Sequence, residues 1–278
     1  MTTEQIKELS DEELNSLTIA IKTKYGIDFT NYEQKSLKRG FARIIMKNQM
    51  GSVLGLWSKI MKDSEFIKTC IDDLTVNLTE LFRNPEIWIK IQNDIIPHIK
   101  NKFRINIWHA GCSSGEEVYT MAIVLHNANI LYKVRTLATD LSNKILNDAI
   151  RGEYSSHLLN KYSKSFNEYL PNTSMYSFFD LINDKAVVKD FLRKHITFQQ
   201  HNLVQDKIEK KFDIVFCRNV MIYFDEVLKM KVLNLFHQSI EDEGYLIVGY
   251  YDLLPEAGNK LFQIVDARAR IYKKIKKN

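Results

Sequence analysis

Ile105-Asn106-Ile107-Trp108-His109-Ala110-Gly111-Cys112-Ser113-Ser114-Gly115-Glu116-Glu117 is the stretch on which the fold turns. A short β-rich run enters a polar turn with glycines at 111 and 115, and an apolar helical stretch follows through Met121 to Leu125. Outward from it the alternation continues. Val134 to Thr139 reads as a strand, Phe212 to Cys217 as another, Val227 to Ser239 as a helix, and Tyr245 to Val248 as a further strand. Strand, helix and strand in turn predict an α/β domain with a doubly wound, Rossmann-like parallel sheet. Phe262 to Val265 and Ala269 to Tyr272 are expected to close it as an antiparallel hairpin. Residues 155 to 200 break the alternation and suggest helices with a small inserted β element.

The first 75 residues carry a different period. Ser10-Asp11-Glu12-Glu13 has capping-box spacing, Leu14, Leu17 and Ile21 share a helical face, and Gly26 suits a helix stop. A second box is expected from Thr30 to Glu33, before a helix that gathers Leu37, Phe41, Ile44 and Ile45 on one side. Lys35, Arg39, Arg43 and Lys47 recur every four residues on roughly the opposite side. Helical patterns also run through Val53 to Ile60 and Phe66 to Leu74. The expected division is an all-helical domain over residues 1–75 and an α/β domain over 76–278, with the inserted subdomain at about 160–200.

Composition narrows the function. The 278 residues are 45% hydrophobic and 26% charged, the balance of a soluble globular protein. Net charge is 39 − 34 = +5, too small to imply nucleic acid. No apolar run approaches the ~20 residues that span a bilayer, and no secretory leader is visible at the start. Cys70, Cys112 and Cys217 have no metal-ligand spacing and fit free, buried thiols in a reducing cytoplasm.

Ligands of such sheets bind beyond the carboxyl ends of the strands. Three strand ends carry candidate chemistry. Gly111 to Glu117 is neither a dinucleotide fingerprint nor a P-loop, and its two acids favour a ligand with a positive group over a pyrophosphate. Asp140, about 25 positions past the glycine turn, suits ribose hydroxyls, although it would serve equally as the N-cap of a helix from Asn143. Arg218-Asn219 interrupts an apolar run at a strand end, a costly placement unless the polar groups are used. Together these ends point to a nucleoside cofactor, and the glutamates favour S-adenosylmethionine over NAD.

At this point the chain resembles the chemotaxis receptor glutamate methyltransferases of the CheR type. Asn77-Leu78-Thr79-Glu80-Leu81-Phe82-Arg83-Asn84-Pro85 is similar to their N-L-T-x-F-F-R signature. Ala110 to Glu117 resembles A-G-C-S-T-G-E-E, and Ala138-Thr139-Asp140 with Ala149 to Tyr154 resembles A-T-D-I-x…A-x-x-G-x-Y. Phe216 to Asp225 matches F-C-R-N-V-M-I-Y-F-D throughout.

The resemblance implies a methyltransferase that uses S-adenosylmethionine, releases S-adenosylhomocysteine and acts on chemoreceptor glutamates, with no metal. It implies that Asn77, Thr79 and Arg83 touch the methionine end of the cofactor or border the transfer site. Glu116, Glu117 or both would hold the charged amino-acid or sulfonium region, and Asp140 the ribose. Asn202-Leu203 would flank the adenine, with Gly111, Arg218 and Asn219 completing the pocket and Tyr223 near the departing methyl. Lys35, Arg39, Arg43 and Lys47 would dock the cytoplasmic helical region of the receptor. A monomer without nucleic-acid partners or membrane insertion is expected. Two departures stand out: Val118 follows the paired glutamates where the family has proline, and Gly249-Tyr250-Tyr251-Asp252 replaces G-H-S-E. The second motivates the alternatives of a cofactor-binding regulatory module with reduced turnover, or a different acceptor. A nucleic-acid methyltransferase is disfavoured because Asn219 to Tyr223 lacks the prolines of the usual base-methylating loop.

Overall fold

Ser10 and Glu13 form the expected reciprocal capping box and open α1 (Asp11–Tyr25), which ends on Gly26 in the left-handed region. These and the following elements come from a computed structural model that describes residues 9–74 and 79–276. The second helix, α2 (Gln34–Lys47), starts differently from expectation. Its N-cap is Glu33, whose carboxylate accepts from the backbone N–H groups of Lys35 and Ser36. Thr30 is not the cap: it lies three residues before Glu33 and donates its amide and hydroxyl to Asp28 Oδ1 in a local turn. Such short-range bonds from Asp compete with capping. α3 (Val53–Lys62) is capped by Ser52, and α4 (Ser64–Leu74) follows directly.

These four helices and the segment Ile222–Lys229 make one of two compact units. Leu17, Ile21, Phe41, Ile44, Leu56 and Ile60 are fully buried in its core. At about 1.5–3 kcal/mol for each large apolar side chain buried, this cluster outweighs surface pairs such as Lys22–Asp28 and Lys38–Asp11, each worth about 0–1 kcal/mol.

The other unit holds the remaining described residues up to Met221 and from Met230 onward. It begins with α5 (Pro85–Lys90), which runs through one π-helical stretch, Ile91–Ile95, into α6 (Ile96–Ile99). The main strands are β1 (Ile105–Ala110) and β2 (Val134–Asp140), separated by α7 (Glu116–Asn127). After α8 (Asn143–Arg151) the chain makes β3 (Glu153–Ser155), α9 (Ser156–Tyr169), β4 (Phe179–Ile182) and β5 (Lys185–Val188). Next come α10 (Asp190–Arg193), β6 (Ile196–Gln200), β7 (Phe212–Cys217), α11 (Glu226–Ser239, of which the part from Met230 belongs to this unit), β8 (Ile240–Val248), β9 (Phe262–Asp266) and β10 (Ile271–Lys274).

Seven strands form the main sheet in the order β6-β2-β1-β7-β8-β10-β9. The pairings from β6 to β8 are parallel, and β10 is antiparallel to both β8 and β9, giving the closing hairpin read from sequence. β3, β5 and β4 form a separate antiparallel sheet. That sheet draws on residues 153–188, earlier than the 160–200 expected. Ile196 to Gln200 pairs with β2 in the main sheet, because its register to Thr136–Asp140 is parallel and continuous. β7 is buried along its whole length and α7 along most of its own. That accounts for apolar runs with little alternation in both.

Candidate functional site

β1 has β2 on one side and β7 on the other, so the strand order reverses between β1 and β7. At such a switch point the connections leave in opposite directions and open a crevice at the carboxyl ends. The glycine turn occupies this position. Gly111, Ser113 and Gly115 all have positive φ, and both Gly111 and Cys112 donate backbone N–H bonds at 2.8 Å to the Thr139 carbonyl at the end of β2. A Cβ on Gly111 would collide with a methyl of Val220 after β7, so glycine is required by close approach as well as by its φ of 81°.

Asp140 ends β2, only 8% exposed, and its carboxylate accepts from Ser113 N–H at 2.8 Å and Ser142 N–H at 3.1 Å. It does not cap α8; Ser142 does, accepting from Ile145 N–H at 3.2 Å. Asp140 thus ties β2 to the glycine turn.

The paired glutamates divide. Glu116, the first residue of α7, is buried and accepts a 2.6 Å bond from the Ser114 hydroxyl. Burial pushes its carboxyl above the usual range, and the Ser114 hydroxyl offsets only part of this. Glu117 also suffers burial, but His109 and Arg218 outweigh it and hold its carboxyl below the usual range. Its Oε1 lies 2.8 Å from His109 Nδ1 and its Oε2 3.3 Å from an Arg218 guanidinium nitrogen. Glu117 is therefore committed inside the protein, and Glu116 is the glutamate suited to an incoming cation.

Arg218 is likewise turned inward. Its guanidinium donates to the Arg83 carbonyl at 3.1 Å and to Asn84 Oδ1 at 2.9 Å, and lies 5.5 Å from the centre of the Trp88 ring. Trp88 Nε1 adds a second bond to the same Arg83 carbonyl at 3.1 Å. These contacts grip an unusual loop. Phe82 and Asn84, on either side of Arg83, have φ of 54° and 58°, conformations that cost non-glycine residues about 1–3 kcal/mol each unless the surroundings hold them. Asn84 is the N-cap of α5 but makes no capping bond, its side-chain oxygen being given to Arg218. Neither does Thr79 cap that helix; its carbonyl accepts from the Tyr162 hydroxyl at 3.5 Å. Asn77 lies outside the described residues.

After β7, Asn219 has a φ of 60° and donates its N–H to the carboxylate of Asp252, which is fully buried and also takes Gly249 N–H at 2.9 Å. A Cβ on Gly249 would stand 2.7 Å from Asn219 N, so glycine lets the β7 and β8 ends meet. Asn202 follows β6 and keeps its side chain within its own turn, accepting from Val204 N–H at 2.9 Å and donating to Gln205 at 3.0 Å. Leu203 beside it is half-buried.

Tyr223 belongs to the helical unit. There Glu33 N–H bonds its carbonyl at 2.8 Å, and the Tyr32 and Phe224 rings meet edge-on at 5.2 Å. A cavity of about 500 Å³ in this unit is lined by Glu33, Ser36, Arg39, Arg43, Ile222 and Tyr223 among others. Lys35, Arg39, Arg43 and Lys47 are all exposed on α2. Arg43 donates to the Asp73 carbonyl and Lys47 pairs with the Asp73 carboxylate at 2.7 Å, so the far end of the row is tied to α4. Arg39 bonds the Lys35 carbonyl and the Ser36 hydroxyl, each at 3.3 Å.

The donor set of the sheet unit is acidic: a strand-end carboxylate, a buried glutamate and a turn built for close backbone approach. It fits a ligand with a ribose diol and a cationic amino-acid end. Comparison with known families agrees. Residues 77–271 match the model of the CheR methyltransferase SAM-binding domain, and residues 12–75 match the CheR all-alpha domain. The chain belongs to the CheR methyltransferase family. It is 31% identical to a chemotaxis protein methyltransferase of Borreliella burgdorferi over 92% of this chain and 93% of that one. A chemotaxis protein methyltransferase of Listeria innocua is 31% identical over 84% and 86%, and one of Vibrio parahaemolyticus 28% over 96% and 98%.

This CheR-family protein is an S-adenosylmethionine-dependent methyltransferase with the class I methyltransferase fold. Its Gly249 to Asp252 segment keeps the glycine and the acid of the family pattern, and both sit in the structural contacts just described. The two tyrosines between them are exposed and meet edge-on at 5.1 Å. All three cysteines are free and buried, and burial pushes each thiol up, that of Cys70 to about 12. Among the described residues there is no group of three metal-ligating side chains and no helix long and apolar enough to cross a membrane.

Sequence reasoning missed three residues: His109, Asn84 and Asp252. A histidine inside the apolar run of β1 was the available signal for the first, on the same cost argument that singled out Arg218-Asn219.

Proposed function

We propose that this CheR-family methyltransferase esterifies glutamate side chains of chemoreceptors for chemotactic adaptation. The observation that carries the cofactor half of this reading is the pairing of Asp140 and Glu116 with the glycine turn at the sheet's switch point. S-adenosylmethionine supplies an electrophilic methyl on a sulfonium. Asp140 takes the ribose hydroxyls, Glu116 the cationic amino-acid end, and Asn202-Leu203 the adenine edge. Asn77, Thr79 and Arg83 would hold the methionine end, Gly111 and Asn219 would complete the pocket, and Glu117 and Arg218 would support it from within.

An acceptor glutamate, with a reference pKa of about 4.3, is already ionised at neutral pH and needs no general base. The protein's task is to align the acceptor carboxylate in line with the methyl and to strip its water, which blunts its nucleophilicity. Arg83 and Tyr223 are assigned to orienting that carboxylate. The helical domain, residues 1–75, is assigned to docking, with Lys35, Arg39, Arg43 and Lys47 presented to an acidic helical region of the receptor. Transfer belongs to residues 76–278. The protein acts as a cytoplasmic monomer in this account, on protein rather than nucleic acid.

Peptide mapping of the organism's receptors after reaction tests the proposal. Added methyl groups are expected on glutamates of the receptor's cytoplasmic helices, and their absence there alongside methylation of another acceptor would overturn it.

A further inference from the structure

His109 is fully buried in β1, with its ring stacked on Phe216 at 4.5 Å and 4°. Phenylalanine would satisfy that packing equally. Histidine costs more, because Nε2 is buried and meets no hydrogen-bond partner among the described residues. What histidine adds is the Nδ1 proton donated to Glu117 at 2.8 Å. From there a continuous chain of bonds runs to Arg218 and on to the Arg83 carbonyl and Asn84 Oδ1.

This chain ends on the strained loop. The two positive-φ residues there, Phe82 and Asn84, flank Arg83, and the guanidinium of Arg218 reaches both the carbonyl between them and the side chain of the second. Without a donor on Oε1, Glu117 is free to rotate away from Arg218. Arg218 then loses the carboxylate that opposes its burial and holds its guanidinium over the loop.

We propose that His109 is a positioning residue: through Glu117 and Arg218 it fixes the Phe82–Asn84 loop in the conformation that presents Arg83 to the cofactor. The last clause rests on the assignment of Arg83 made above; the loop-fixing role does not.

The test uses the full-length protein and two substitutions. His109→Phe keeps the ring stack and removes the donor, whereas His109→Asn keeps an N–H near the place of Nδ1. S-adenosylhomocysteine affinity is measured by calorimetry, and amide hydrogen exchange is followed in peptides covering residues 80–85. His109→Phe is expected to weaken binding at least fivefold and to accelerate exchange in that loop. His109→Asn should restore both to within about twofold of wild type. Wild-type exchange and affinity in His109→Phe, or equal loss in both variants, would overturn the proposal. Faster loop exchange with unchanged affinity would uphold the positioning role and refute the cofactor assignment of Arg83. Should His109→Phe fail to fold, Asn84→Gly cuts the final bond while tolerating the positive φ. It is expected to show the same paired effects, and wild-type behaviour in it would count against the proposal.

Discussion

Replacing Asp140 by alanine should damage the protein twice, by amounts that can be measured separately. In the free protein its carboxylate satisfies the backbone N–H groups of Ser113 and Ser142. A buried donor left without an acceptor costs about 1–3 kcal/mol. Two such donors give a loss of about 2–4 kcal/mol of folding stability if water reaches the half-buried Ser113 side and partly compensates. On the proposed assignment the complex adds bonds from ribose hydroxyls to this carboxylate, and charge-assisted bonds of this kind are worth about 1.5–3 kcal/mol. That corresponds to a roughly 10- to 150-fold rise in the dissociation constant for S-adenosylhomocysteine. Urea unfolding gives the first quantity, and calorimetry well below the transition, where the variant is folded, gives the second. Reduced stability with wild-type affinity would refute the ribose assignment and leave Asp140 as a tie between β2 and the glycine turn.

Three further outcomes follow from the site. Glu116 has a raised carboxyl pKa from burial, and its ionised form is the one that holds a cationic ligand, so affinity for S-adenosylhomocysteine should fall as pH drops through that raised value; Glu116→Gln should bind more weakly and lose this dependence, and a pH profile matching wild type would remove Glu116 from the cofactor site. Arg83→Ala should lower methyl transfer at least tenfold and stability far less, since the carbonyl that Trp88 and Arg218 grip is retained; equal transfer rates would remove Arg83 from the transfer site. Reversing Arg39 and Arg43 to Glu should raise the Michaelis constant for receptor and flatten its salt dependence, each exposed contact being worth some tenths of a kcal/mol; wild-type receptor kinetics at low salt would leave the row as solvated surface, and Arg39→Glu alone separates docking from the loss of Arg43's bond to Asp73.

The legible parts of this molecule were those in which a local pattern has one physical solution. A β-rich run, a glycine turn and an apolar helix could only be β1, the switch-point loop and α7, and the antiparallel hairpin of β9 and β10 followed from two short apolar runs around a polar turn. Asp140 and Arg218-Asn219 stood out because polar and charged groups at the ends of buried strands need a use. What the pattern did not reveal was which use. Arg218 reads like a ligand contact, and the internal partners it has in the structure, Glu117, Arg83 and Asn84, lie 101, 135 and 134 positions away. Glu116 and Glu117 are adjacent in sequence yet diverge by 100° around α7, which sends one toward Ser114 and the other to His109. The capping of α2 was misread because Thr30 is drawn into a local turn with Asp28 and the helix starts three residues later, where the Glu33 carboxylate accepts from Lys35 and Ser36. The bounds of the small sheet were not legible because its strands are four residues or fewer, and Ile196 to Gln200 resembles them in length while pairing with β2.

The most direct test of the account is methyl transfer itself. The full-length protein is incubated with radiolabelled S-adenosylmethionine and membranes carrying the organism's own chemoreceptors, and the label on receptor is then exposed to mild base. Glutamate methyl esters hydrolyse under those conditions and release volatile methanol, so receptor-bound label that base removes is the predicted result. Label that survives base, or that appears on nucleic acid and not on receptor, would contradict it.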